Sequence, residues 1–506
     1  MAFGDLLEKM GSAGPFQLLC VLLLTGPALL IASHNLVQNF SAASPEHQCC
    51  PLPPGTNASW VGNTTAAHGG LSLVPSPEWL CHLMGTHGQH PRPNGSLGRA
   101  GETEPCQDGW YYDCSTFSSN IVTEWDLVWD LGPLPALAQM LFMAGVLLGG
   151  LLFGVFFDRF GQRVILLCSL LLVAVMGTAA ALSSDFLTYC AFRLLSGVGL
   201  SSLEWVPTKS RALVVTWLSY CSTAGQVVLA GLAYGIRDWC WLELAISTPF
   251  FIFFLCAWWI PESARWLIVN HRPAMALTNL KRVARINRKQ LGEDSISLEV
   301  GGSPTGKNTC SCLCLFHTPA TRRISCCLMS VSFSTNLAYF GLSMDLPAFG
   351  LDIFLVQTFF RAIDILAKMA CALALSYFGR RAIQASSLIL AGVFLLGNIP
   401  VPREMLMVRL ALAVLGKGCL AASSCAVSGR QTGTGFTTVM ARLGGMVAPV
   451  VLVAGQQFPF LPLVIFGVAP VVSGIAACFL PEMHNVPLLD TIEEVENRYY
   501  ISHDSP

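Results

Sequence analysis

Residues 154–163 read GVFFDRFGQR, a short charged link between LPALAQMLFMAGVLLGGLLF (134–153) and VILLCSLLLVAVMGTAAAL (164–182). Each flank is apolar over about the 20 residues that a helix rising 1.5 Å per residue needs to cross a bilayer. The link holds Gly154, Asp158, Arg159, Gly161 and Arg163. A worn copy, SYFGRR, stands at 376–381 between two more apolar runs and keeps Gly379, Arg380 and Arg381. A charged link recurring at the same place in two series of apolar runs predicts two related halves, each built of membrane-crossing helices.

Composition agrees. The chain has 506 residues, 53% of them hydrophobic and 12% charged, with a formal net charge of −1; soluble proteins carry about a quarter charged residues. Mean hydropathy is +0.57. No basic stripe with interleaved aromatics is present, which argues against a nucleic-acid partner. The opening MAFGDLLEKMGSAGPF lacks the pattern of a cleaved signal peptide, so the first apolar run is expected to be an uncleaved span. No H-E-x-x-H, G-x-S-x-G or Walker loop stands out; an enzyme and an ATP-driven pump are disfavoured, and no cofactor or metal is called for.

A helix-length apolar window predicts spans at 16–37, 134–157, 164–182, 186–204, 212–234, 240–260, 324–344, 351–376, 382–400, 405–427, 432–455 and 459–480. The expected fold is an all-α polytopic membrane protein of twelve transmembrane helices in two six-helix pseudo-repeats. Its parts are an N-terminal half, 1–260, containing a long loop 38–133; a basic loop 261–323; a C-terminal half, 324–480; and a tail, 481–506. The loop 261–323 and the short links carry most of the Lys and Arg, whereas 38–133 holds only Arg92 and Arg99. The positive-inside rule then puts both termini in the cytoplasm and 38–133 outside.

That outer loop contains the sequons Asn57-Ala-Ser, Asn63-Thr-Thr and Asn94-Gly-Ser, which fit a glycosylated exterior segment. It also holds Cys49, Cys50, Cys81, Cys106 and Cys114, enough for two disulfides with one thiol over and the pairing open. For the cluster CSCLC at 310–314, plain cytoplasmic thiols are the favoured reading. Palmitoylation comes next, and zinc last, since the spacing is not C-x₂-C.

The pattern G-x-x-x-D-R-x-G-x-R, filled by Gly154, Asp158, Arg159, Gly161 and Arg163, resembles the signature loop of the major facilitator superfamily. Its glycines permit a tight turn. Its carboxylate can pair with arginines or a helix end and so gate one face of a rocking two-domain carrier. The simpler reading is a topology anchor. PESARWL at 261–267, NFSAA at 39–43, TEPCQDGWYYD at 103–113, IVTEWDLV at 121–128 and PLLDTIEEVEN at 487–497 narrow the resemblance to the organic ion transporter family. Within it the chain is similar to the organic anion branch that contains the renal urate and steroid-sulfate transporters. The resemblance implies facilitative or exchange transport of small organic anions, with a counter-anion, across the plasma membrane. It says nothing of oligomeric state.

Ionisable groups inside spans cost several kcal/mol unless paired or wetted. Arg361, Asp364 and Lys368 share one face of span eight by their spacing; Arg409 and Lys417 lie in span ten and Arg442 in span eleven. This surplus of positive charge suits an anion. Lys368 and Arg442 match positions where organic anion transporters carry cavity cations, and Asp364 is expected to orient Lys368. Arg361 has no such counterpart, and Arg409 is expected to snorkel to the outer face. Phe333, Tyr339 and Phe340 match an aromatic cluster in urate-transporting relatives and are expected to supply an apolar wall. His34 and Asn35 match cavity positions in span one; for His34 the alternatives are a proton-sensitive element and a plain helix contact.

The pattern also breaks. Against the family, span four is about nine residues short and the end of span ten about ten, a loss of roughly 13 Å of helix in the former at 1.5 Å per residue. Trp129 stands where the family has a cysteine. A transport-deficient member acting as a sensor or partner is therefore the competing expectation.

Overall fold

A computed structural model describes residues 14–49, 110–203, 211–287, 319–346, 351–375, 377, 379–402, 404–428 and 434–480. The three sequons, Cys50, Cys81, Cys106, the thiols at 310–314 and the tail lie outside the described residues, as do the side chains of Cys49 and Asp158. Twelve helical spans stand among the described residues, where the apolar runs fall. The first six are Pro15–Leu36, Leu134–Phe160, Gln162–Ala181, Phe186–Leu203, Arg211–Gly235 and the pair Trp239–Ser247 with Pro249–Ala257. The last six are Pro319–Met344, Ile353–Ala374, Arg380–Gly397, Leu406–Ser428, Thr434–Gln457 and Leu461–Ala477. They are numbered one to twelve in that order. Span six, expected to be continuous, is interrupted at Thr248–Pro249, because proline has no N–H to bond back up the helix.

Packing repeats along the chain. Span one lies on span five as seven lies on eleven, and two on four as eight on ten. Span three lies on six as nine lies on twelve, and on four as nine on ten. Adding six to each span number converts one set into the other, so the molecule is two six-helix pseudo-repeats. The joins between the repeats obey the same rule: span two meets eleven, and span eight meets five. Backbones touch at matching crossings. A Cβ on Gly225 of span five would strike the Leu29 carbonyl of span one, and one on Gly444 of span eleven the Phe333 carbonyl of span seven. Small residues allow such close approach within membranes.

The two charged links have one backbone conformation. Gly161, before span three, has φ 91° and ψ 159°; Gly379, before span nine, has φ 76° and ψ 161°. That region is essentially closed to residues with a Cβ, which is why both links carry glycine there.

Seven spans are apolar over a membrane-crossing length by composition alone; span eight falls short because Arg361, Asp364 and Lys368 all lie in its 22 residues. Span four is an 18-residue helix, about 27 Å long. Span ten is a helix of 23 residues, Leu406–Ser428, close to the expected 405–427. One small departure from an all-α chain is an antiparallel ladder of β1 (His47–Cys49) and β2 (Trp110–Tyr112), with His47 opposite Tyr112. It joins the two ends of the segment 50–109.

Candidate functional site

The second repeat buries a polar cluster at the middle of span eight. Arg361 Nη1 lies 3.1 Å from Asp364 Oδ2, and both side chains are fully buried. Tyr339 of span seven closes the triangle: its hydroxyl donates to Asp364 Oδ2 at 2.8 Å and accepts from Arg361 Nη1 at 2.9 Å. Gln357, one turn earlier, offers its amide oxygen to Arg361 Nη2 at 3.5 Å. Lys417, fully buried on span ten, donates to Ser343 Oγ. Its ammonium sits 4.8 Å from the Tyr339 ring centre and 4.5 Å from that of Phe360, a cation–π arrangement that partly replaces lost hydration. Asp364 is the only acid in the six helices of this repeat.

Lys368 departs from expectation. Asp364 was to orient it, but the described ion pair of Asp364 is with Arg361, three residues earlier on the same helix face. Lys368 Nζ instead crosses to span five of the first repeat, donating to Thr223 Oγ1 at 2.8 Å and to the Ser219 carbonyl at 3.3 Å. It therefore stands on the seam between the repeats, half-buried. Arg442 is half-buried on span eleven, which packs on span two.

The three aromatics part company. Phe333 and Tyr339 pack on the core of the second repeat, while Phe340 packs on the cores of both repeats and shares the first with Met143, Met344 and Met446. Tyr339 and Phe340 meet edge to face with ring centres 5.8 Å apart. Of the three, Phe340 is the one at the seam.

In the first repeat, His34 is buried with its ring 5.6 Å from that of Phe250. Its carbonyl accepts from Arg193 Nη2 at 3.4 Å, and the Arg193 guanidinium lies 4.3 Å from the Phe142 ring centre. The Asn35 carbonyl accepts from Gln139 Nε2 at 3.1 Å. Beside Arg193, buried Glu243 accepts a hydrogen bond of 2.9 Å from Tyr189. Sequence reasoning missed Glu243, although a lone acid in the apolar stretch WCWLELAIS carries the same signal that singled out Asp364. Thr223 and Ser343 had no signal of their own.

At the face carrying the charged links, a described carboxylate is Glu262 of PESARWL. It accepts from the backbone N–H of Gln162 at 3.0 Å and of Arg163 at 3.2 Å, capping span three. The Arg163 side chain donates to the Trp258 carbonyl at 2.6 Å. These bonds tie the start of span three to the end of span six within one repeat; Arg159 and Arg381 are exposed. At the opposite face, where 38–133 attaches, the repeats meet directly. Phe354 of span eight stacks on Phe40 at 5.6 Å and 14°, and lies 5.7 Å from both Phe117 and Tyr234. Asn39 Nδ2 donates to the Ser343 carbonyl at 2.6 Å. An open hollow of about 470 Å³ lies beside this box, lined in part by Arg237 and Asp352. Cys114 is a free thiol among the described residues.

Comparison with known proteins agrees with this architecture. The profile of the Major Facilitator Superfamily matches residues 114–363. Solute carrier family 22 member 6 of Danio rerio is 44% identical over 98% of this chain and 95% of its own length. Solute carrier family 22 member 20 of Mus musculus is 43% identical over 98% and 94%, and organic anion transporter 3 of Pongo abelii 42% over 98% and 94%. The alignment with the first of these spans 537 positions, more than the 506 residues of this chain, so that relative carries segments absent here. Among solved structures, the partially occluded inward-open xylose transporter XylE of E. coli superposes with a TM-score of 0.59 at 14% identity, over 92% of this chain and 98% of XylE; at that identity the likeness is one of fold. Taken with the near-full-length relatives, the chain is a multi-pass membrane protein that belongs to the organic anion transporter branch of solute carrier family 22, within the major facilitator superfamily.

Proposed function

We propose that this protein carries small organic anions, of the urate or steroid-sulfate kind, across the plasma membrane by alternating access, in exchange for a counter-anion, with both termini cytoplasmic and 38–133 extracellular. The observation that carries the reading is Lys368, a cation of the second repeat bonded to span five of the first. An anion reaching the seam competes with Thr223 and Ser219 for this ammonium. It exchanges a neutral partner for a charged one, which strengthens the hydrogen bond. Arg361 and Lys417 lie behind Lys368 with one carboxylate between them, so the site favours anions over cations. Phe340 and Tyr339 offer the flat apolar wall that a ring system needs, and Arg442, His34 and Asn35 complete the expected lining. In this reading the Phe354 box is the closed outer gate and the link at 154–163, with its copy at 379–381, the inner one. Because Arg163 is held within the first repeat, gating there falls to Asp158 and the exposed arginines.

The test is uptake of labelled urate and of estrone sulfate by cells expressing the protein, with surface labelling to verify arrival. Saturable uptake of either, reduced by Lys368→Ala and by Arg442→Ala, supports the proposal. Uptake indifferent to both substitutions overturns the site. The alignment that exceeds the chain's length favours one rival, a transport-deficient member; absence of uptake despite good surface expression selects it.

A further inference from the structure

We propose that the face carrying the charged links binds acidic phospholipid headgroups through an exposed stripe, Arg272, Met275, Arg282 and Arg285, on the surface helix Pro273–Ile286, with Trp258 and Trp259 as its floor. The proposal needs only the membrane placement of the chain and stands apart from the transport reading.

The charge is one-sided. From Ser263 to Gly292 the sequence contains no Asp or Glu, yet it carries Arg265, Arg272, Lys281, Arg282, Arg285, Arg288 and Lys289. The acid just before this run, Glu262, is engaged by the backbone amides of Gln162, Arg163 and Ser263 and so is turned away from it. The helix is amphipathic in the sense that matters here. Ala276, Leu280 and Ala284 are buried against the protein; Met275, Arg282 and Arg285 are exposed, and their spacing of seven and three residues aligns them on one side.

Depth comes from the tryptophans. Trp258 and Trp259 end an apolar span and are 62% and 51% exposed, as expected of side chains in the headgroup layer of a bilayer. The Arg282 guanidinium lies 4.8 Å from the Trp259 ring centre, and that of Arg163 lies 6.0 Å from Trp258. The arginine stripe is thereby fixed at the level where lipid phosphates lie. An exposed Met275 in the same stripe favours a lipid over a soluble anion, because an apolar side chain there gains from glycerol and acyl contact and nothing from a free ion.

The test uses the purified full-length chain in uncharged detergent with equal amounts of phosphatidylserine and phosphatidylcholine, reading retained lipid by native mass spectrometry. The wild type retains phosphatidylserine in about hundredfold preference, and each arginine removed lowers that preference by about fivefold, so that the variant combining Arg272→Gln, Arg282→Gln and Arg285→Gln no longer discriminates. Should the triple variant unfold, Arg285→Gln alone, at an exposed position, reads the single-residue effect. Equal retention of the two lipids by the wild type, or an unchanged preference in the variants, overturns the proposal. Displacement of the lipid by millimolar inorganic phosphate also overturns it, by assigning a phosphate-ion site instead.

Discussion

Each repeat hides charge in its interior, and the two do so differently. In the first, Arg193 lies among the Phe142 ring, the His34 carbonyl and a neighbouring Glu243 that has its own bond to Tyr189: one cation, one acid, loosely coupled. In the second, Arg361, Asp364 and Tyr339 form a closed triangle, and Lys417 and Lys368 add two cations with no further acid in the helices. Among the described residues, the buried charge of the first repeat is balanced and internal. In the second it exceeds balance, and the excess reaches the seam through Lys368. On the proposed function, one repeat serves mainly as scaffold and the other is the source of attraction for an anion.

The contrast is broken most severely at Asp364. Asp364→Asn leaves Arg361 buried without its carboxylate, a loss on the order of 3–5 kcal/mol, and thermal unfolding of the purified protein is expected to register it as a large drop in midpoint. Glu243→Gln should cost only about 1 kcal/mol, because an amide oxygen still accepts from Tyr189. Equal losses at the two sites would erase the distinction between the repeats.

Next in size is the seam. Lys368→Ala is expected to reduce anion uptake by roughly thirtyfold, the equivalent of about 2 kcal/mol for removing one partner of a charged hydrogen bond, with surface amount unchanged. Lys368→Arg, which keeps the charge, should recover part of it. If Arg193→Lys in the first repeat had the larger effect on uptake, the attraction would reside in the wrong half.

The charged links offer a finer comparison. Gly161→Ala and Gly379→Ala each force a Cβ into a glycine-only conformation, at about 1–3 kcal/mol. At Gly161 the new methyl also meets Glu262 Oε2 at 2.7 Å, so that substitution should lower the unfolding midpoint by more than backbone strain alone. The smallest effect belongs to Asp185 at the start of span four. Its carboxylate accepts from the Thr188 N–H and hydroxyl, and these bonds hold its pKa below the ordinary 3.8. A depressed acid stabilises the fold above its unfolded value and loses that contribution as pH falls through the folded one. The small midpoint difference between wild type and Asp185→Asn, present at neutral pH, should therefore vanish in strong acid.

Much of the architecture could be read from residues alone, because membrane spans are long apolar runs and Gly161 and Gly379 are demanded by backbone geometry. The partners of the buried charges were less legible. Asp364 has a cation three residues before it and another four after, and helix spacing treats both as neighbours; the choice of Arg361 depends on Tyr339, which comes from another span. The bond from Lys368 to Thr223 is set by how one repeat lies on the other, and no local pattern encodes that register. Glu243 differed: its signal was plain, a solitary carboxylate in a hydrophobic run. The break in span six was equally visible in Pro249.

The three-residue ladder between His47–Cys49 and Trp110–Tyr112 has a mechanical consequence. It brings the two ends of the stretch 50–109 side by side, so the length of that stretch is uncoupled from the spacing of the helices to which it attaches. Doubling such a loop costs only about 0.6 kcal/mol in closure entropy. Insertions or trimming there can thus accumulate with little penalty to the twelve helices.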